Sequence, residues 1–217
     1  MLKSMKKLIA AALVAVSLAS GGWRSPAGMA GENPMSTEAH ANAETRPGAP
    51  TTAGAPQSPL KLPLVNPQVV VSKSKRQLLL YADGAVVRTY KAALGANPVE
   101  DKVRQGDGAT PEGEFYVCVK NARSSFFLSL GLSYPNAEDA ERGLRDKLIS
   151  RAERDRIVRA IRNKRRPPWD TALGGEIFIH GGGTEGDWTR GCVALSNADI
   201  KELFDALPMG ASVRIEP

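Results

Sequence analysis

Hydrophobic and polar positions change their pattern twice along this chain. Residues 8–19 form an unbroken apolar, helix-favouring run behind the positive start Lys3, Lys6 and Lys7. Residues 20–63 then show no hydrophobic period. From about Asn66 onward short apolar runs alternate with turn residues. Val69-Val70-Val71, Leu78-Leu79-Leu80-Tyr81 and the stretch 86–94 predict β-strands, and Asp83-Gly84 predicts a tight hairpin between the last two. Phe115-Tyr116-Val117-Cys118-Val119 predicts another strand, after the turn Thr110-Pro111-Glu112-Gly113, and 177–180, 193–195 and 212–215 predict three more. Between them the period lengthens. Asn136 is placed to cap a helix from Ala137. Ser150-Arg151-Ala152-Glu153 matches a capping box for a helix running to about Asn163 with Ile157, Val158 and Ile161 on one stripe, and Pro167-Pro168 forbids its continuation. Ser196 caps a last helix with Ile200, Leu203, Phe204 and Leu207 on one face. The pattern predicts a mainly β domain over 67–217, with a helical insert at about 136–166 and a C-terminal helix.

The amino-terminal third is expected to stand apart. Twelve apolar residues are too few for a bilayer span, which takes about 20. Small residues at Ser17-Leu18-Ala19, or alternatively at Gly28-Met29-Ala30, suit a signal peptidase, so residues 1–19 are expected to be a signal peptide. Eight of the 15 prolines fall between Pro26 and Pro67. That composition cannot bury enough apolar surface to offset its ordering entropy, so residues 20–66 are expected to be a disordered Pro/Gly/Ala-rich linker. The catalytic part is then expected in the periplasm or elsewhere in the cell envelope, with membrane contact only through an uncleaved signal segment.

With 217 residues, 42% of them hydrophobic, the chain can bury one sizeable core. Its formal charge is +6, and loss of the three leading lysines would leave about +3. That is mildly basic, with no aromatic residues interleaved among the cations, and nucleic acid is not an expected partner. The cations concentrate in the insert, at Arg151, Arg154, Arg156, Arg159, Arg162, Lys164, Arg165 and Arg166. They form either a solvated helix face or a surface for an anionic partner.

The chemistry converges on 177–195. An apolar run delivers His180 into the loop Gly181-Gly182-Gly183-Thr184-Glu185-Gly186-Asp187-Trp188-Thr189-Arg190-Gly191, which returns Cys192 at the head of a second apolar run. Strand alternation puts Phe178 and His180 on one face and Ile177 and Ile179 on the other. Of the two histidines, His40 lies in the linker, so an imidazole base has to be His180. A thiol paired with an imidazole suits nucleophilic attack on a carbonyl carbon. Backbone N–H groups of Arg190, Gly191 and Cys192 are candidates for an oxyanion hole. Cys118 fits a strand interior. One histidine with distant carboxylates makes no zinc ligand set, so neither metal nor cofactor is expected.

These residues resemble the L,D-transpeptidase catalytic domain family of bacterial cell-wall enzymes. The resemblance covers about 67–215. It is carried by Leu78-Leu79-Leu80-Tyr81 with Gly84, Ala93-Leu94-Gly95, Gly106-Asp107, Thr110-Pro111-Glu112-Gly113-Glu114-Phe115, Ser133-Tyr134-Pro135-Asn136, and His180-Gly181 with Thr189-Arg190-Gly191-Cys192. It implies a β-sandwich-like fold, with Cys192 as nucleophile, His180 as general acid/base and peptidoglycan stem peptides as substrates. It also implies an imidazole oriented by a backbone carbonyl, for which Gly181 to Gly183 is the natural place. Asp187 and Glu185 are the side-chain alternatives. Arg190, Thr189 and Trp188 are candidate substrate contacts. Ala194 stands where the family often has a basic or amide residue, and His180 and Cys192 lie only 12 positions apart. Both departures point to a divergent branch in which some members hydrolyse rather than cross-link. The expected activity is L,D-transpeptidation through a thioester. The alternatives are hydrolysis as a carboxypeptidase, or as an amidase releasing a wall-linked protein, and a non-catalytic wall-binding module closed by a Cys118–Cys192 disulfide.

Overall fold

The computed structural model describes residues 58–217. The expected signal peptide and the greater part of the expected linker lie outside the described residues. In chain order the elements are β1 (Gln68–Ser72), β2 (Gln77–Ala82), β3 (Ala85–Lys91), β4 (Gly113–Ser124), β5 (Phe127–Leu132), α1 (Ala137–Arg145), α2 (Arg151–Arg162), β6 (Phe178–His180), β7 (Val193–Ala194), α3 (Asn197–Ala206) and β8 (Ser212–Glu216).

The eight strands form one mixed sheet in the order β3-β2-β1-β8-β4-β5-β6-β7. Its two halves join because β4 serves both. Gly113 to Tyr116 pair antiparallel with β8, and Val117 to Ser124 pair with β5, with register shifts near Val119 and between Asn121 and Ser124. A shift of register bends and twists a strand, and here the sheet curls around a core that includes Leu78, Leu80, Phe115, Val117, Ile179 and Val213. Helix α3 closes the core with Ile200 and Leu203, both fully buried. Its cap is the expected one, Ser196 Oγ accepting from the Asp199 N–H at 3.1 Å.

Two differences from the sequence pattern matter for the site. The third predicted strand leaves its ladder at Lys91. Beyond it, Ala93 exchanges two hydrogen bonds with Ala194 (2.9 and 2.8 Å), and Leu94 and Ala96 bond Thr189 (3.1 and 3.0 Å). The end of that apolar run therefore braces the loop that carries Cys192. Strand β5 has no sequence forecast at all. The turn before it contains neither glycine nor proline, and Phe127 takes a positive φ of 73° that no phenylalanine advertises.

The insert has its own small core of Ala140, Ile149, Ile157 and Leu173. Both of its helices carry complete capping boxes, Asn136 with Asp139 and Ser150 with Glu153. Arg142 ties it to the loop between β3 and β4: its guanidinium donates to Asp101 Oδ2 and the Lys102 carbonyl, and to Asp139 Oδ1 within α1, each at 2.7 Å. Because Ile157 is fully buried in that core, Ile157→Ala is expected to cost about 2–4 kcal/mol. Denaturant titration should show a lowered midpoint; an unchanged midpoint would mean that the insert does not share in cooperative folding.

Candidate active site

Strand β6 lies between β5 and β7. The expected alternation holds: Ile177 and Ile179 enter the core, and His180 points to the other face, where it lines a cavity of about 800 Å³. Close packing after His180 requires glycine at 181. A Cβ there would lie 2.8 Å from the Phe126 carbonyl oxygen. The Gly181 carbonyl folds back to 2.6 Å from His180 Nδ1. A carbonyl only accepts, so Nδ1 carries the proton and Nε2 of the neutral ring keeps its lone pair. Phe126 stacks on the imidazole at 4.6 Å and 26°, and Trp188 meets it edge-on at 5.6 Å and 66°. Burial holds the imidazole below its ordinary pKa, although the Gly181 hydrogen bond acts the other way.

Cys192 lines the same cavity. Its sulfur accepts from the Phe178 N–H at 3.4 Å and donates to the Glu176 carbonyl at 3.6 Å. Glu176 presents that carbonyl from a left-handed conformation, φ 55°. Burial pushes the Cys192 thiol above its ordinary value, outweighing the downward pulls of the Phe178 N–H and the Lys102 charge. Burial thus disfavours the charged form of both partners. That favours a resting pair of neutral thiol and neutral imidazole, and each is bonded to a carbonyl rather than to the other.

The connecting loop is organised by Thr189, which is buried. Its hydroxyl donates to the Cys192 carbonyl at 2.8 Å and accepts from the Gly191 N–H at 3.1 Å. Two sequence expectations change accordingly. Thr189 spends its one hydroxyl proton within the loop rather than on a substrate. The Gly191 N–H is likewise engaged, which removes it from the expected oxyanion hole. The Arg190 and Cys192 N–H groups make no hydrogen bond among the described residues. Gly191 has φ +121°, and a Cβ there would lie 2.6 Å from the Ala109 carbonyl oxygen. Gly191→Ala is therefore expected to displace the Cys192 backbone, at a cost of about 1–3 kcal/mol. Thermal melting would read that loss, and a Tm equal to the wild type's would contradict the close approach.

Asp187 does not orient His180. It pairs with Arg76 at 2.8 Å and accepts from the Leu94 N–H at 2.8 Å, fastening the loop to β2's flank. Glu185 makes no hydrogen bond among the described residues and lies exposed. Arg190 and Trp188 are exposed at the cavity, with the Trp188 Nε1–H donating to the Gly183 carbonyl at 3.3 Å. Both cysteines are free; Cys118 is half-buried on β4, its thiol pushed up to about 11 by burial. Among the described residues no group of three or more His, Cys, Asp or Glu side chains could hold a metal ion.

Sequence reasoning missed Phe126, the Glu176 carbonyl and Lys102. Phe126 sits in the unpunctuated turn before β5, so no local signal marked it. Lys102 is almost fully buried, donating to the Arg104 carbonyl at 2.9 Å and to Asp107 Oδ1 at 2.8 Å while lining the cavity. The Gly106-Asp107 turn was visible in sequence, but the lysine it holds was not.

Several solved structures resemble this chain. The helical cell shape determining protein Pgp2 from Campylobacter jejuni is 22% identical, over 69% of this chain and 47% of that one, with a TM-score of 0.48. The L,D-transpeptidase from Xylanimonas cellulosilytica is 21% identical, over 73% and 64%, with a TM-score of 0.43. The L,D-transpeptidase from Mycobacterium smegmatis is 11% identical, over 70% and 59%, with a TM-score of 0.42. The chain thus spans less than two thirds of the length of each. No curated protein sequence matches it. The family model of the L,D-transpeptidase catalytic domain, YkuD, matches residues 66–215. That span takes in the whole sheet, the insert and the His180–Cys192 loop, and on it the chain belongs to the L,D-transpeptidase catalytic domain family.

Proposed function

We propose that this protein is a cysteine acyl-transferase of the cell envelope, acting on peptidoglycan stem peptides through a thioester on Cys192. The observation that carries the reading is the His180 tautomer. With Nδ1 tied to the Gly181 carbonyl, Nε2 keeps a free lone pair, and His180 lines the same cavity as Cys192. The thiol leaves the Glu176 carbonyl, its proton passes to Nε2, and Sγ bonds to the carbonyl carbon of the scissile amide. The N–H groups of Cys192 and Arg190 receive the oxyanion. The carbon–nitrogen bond breaks and the departing amine takes the proton from Nε2. An amine of a second stem, or water, then attacks the thioester; its proton moves to Nε2 and from there back to sulfur.

Beside Lys102, which Asp107 already pairs, Arg123 and Arg190 line the cavity against the single carboxylate of Glu176. That balance suits a stem peptide, which carries several carboxylates. Incubation with purified tetrapeptide stems, followed by mass analysis, tests the proposal. Dimers formed with loss of one alanine identify transpeptidation, and trimmed tripeptides identify water as the acceptor. Stems recovered unchanged would remove the proposal.

A further inference from the structure

The positive charge of this protein has one address. Residues 151–166 hold eight cations against two carboxylates, a surplus of six. The whole chain carries +6, so everything outside this segment is neutral in sum. Such a concentration gains nothing for folding, since like charges on one helix repel. Among the described residues the segment's only ion pairs use Arg154, with Glu141 and Asp155, and Arg156, with Asp170. Arg159, Arg162, Lys164, Arg165 and Arg166 are left to solvent.

Part of this segment lines a cleft of about 340 Å³ that shares no lining residue with the catalytic cavity. Arg156, Arg159, Arg165 and Arg166 line it, over Pro167 and Pro168, and no carboxylate does. Its shape is built in advance. The backbone leaves α2 through Lys164 at φ 52° and is held by the Arg165 N–H bonding the Ala160 carbonyl at 2.9 Å. The Tyr116 hydroxyl donates to the Arg165 carbonyl at 2.8 Å. Two of the cations rest on aromatic rings, Arg166 at 4.6 Å from Trp169 and Lys164 at 4.7 Å from Tyr116.

We propose that this cleft binds phosphate groups, docking the protein on a phosphate-bearing ligand away from its catalytic cavity. Seven of the eight cations are arginine, whose planar fork matches oxyanions with two parallel hydrogen bonds. A carboxylate offers one charge and two oxygens, and a single bidentate guanidinium neutralises it. A phosphate group offers more acceptor oxygens and up to two charges, and uses several forks at once. Four arginines converging on one cleft therefore suit phosphate. The segment's further cations suit a surface on which phosphates repeat, such as lipid headgroups, while the cleft alone suits a soluble phosphate.

The full chain would be titrated with pyrophosphate by calorimetry. In parallel it would be sedimented with vesicles of phosphatidylglycerol in phosphatidylcholine, at rising salt. Binding to the vesicles alone assigns the cleft to a membrane surface, and binding to pyrophosphate alone assigns it to a soluble ligand. In either case Arg159→Gln, Arg165→Gln and Arg166→Gln together are expected to weaken binding about tenfold or more, while turnover of soluble tetrapeptide stems stays unchanged. Neutralising three exposed cations elsewhere, Lys61, Lys75 and Lys91, should leave binding intact. Binding of neither probe, equal binding by the arginine variant, or equal loss in the lysine variant would overturn the proposal.

Discussion

Cys192→Ala is expected to abolish turnover of tetrapeptide stems, a loss of about 10⁴-fold or more, and to leave the fold in place. The size follows from the division of labour. His180 holds no proton that can be transferred without a nucleophile to supply it, and water in a half-buried cavity is a poor substitute for sulfur. Removing one member of a nucleophile–base unit typically costs about as much as removing the whole unit. The structural side of the change is small. The sulfur makes two weak contacts, with the Phe178 N–H and the Glu176 carbonyl, so stability should fall by only about 1 kcal/mol. His180→Gln should approach the same loss, since glutamine can bond the Gly181 carbonyl but cannot take a proton. Product analysis of wild type and both variants, beside a thermal melt of each, reads the two quantities separately. Residual activity above about one part in a hundred in the alanine variant would mean that Cys192 is not the acylated atom.

The second large effect is on pH dependence. Burial acts on both partners, raising the pKa of the Cys192 thiol and lowering that of the His180 imidazole. The sign follows for each. A raised thiol pKa means less thiolate at any given pH, and the deficit closes only as pH rises past the ordinary thiol value of about 8.5. A lowered imidazole pKa means that His180 is already an unprotonated base at neutral pH, so the acid limb of kcat/KM falls below the ordinary imidazole value of about 6.5. Iodoacetamide should therefore alkylate Cys192 at a rate that climbs about tenfold per pH unit from mildly acid solution through neutrality. Mass mapping distinguishes this adduct from one at Cys118. A rate that is flat across the acid range would reveal a pre-formed thiolate–imidazolium pair, and would contradict the neutral resting pair derived from burial.

Residues within two or three positions of one another made much of the site legible in sequence. The alternation of Ile177, Phe178, Ile179 and His180 assigned faces that the sheet then uses. The capping signals at Asn136, Ser150 and Ser196 located all three helix starts, because a cap is a contact across a single turn. The Gly181 carbonyl on His180 fell within the glycine run where it was sought. Long-range competition for polar groups was not legible. Asp187 is taken by Arg76, 111 positions away. Thr189 and Gly191 satisfy each other once the loop closes, which took one donor from the expected oxyanion hole.

Composition and local pattern by themselves determined that the domain is mainly β, that helices interrupt it late, and that one cysteine and one histidine share a glycine-rich loop. Those features depend on period, turn residues and caps, which act over a few bonds. The tertiary structure alone decided what the thiol and imidazole do at rest, because that depends on which carbonyls reach them and how much water is excluded. It also decided that the braced end of the third β run and the buried Lys102 belong to the site. Contacts of this kind join segments far apart in the chain, and no pattern along it records them.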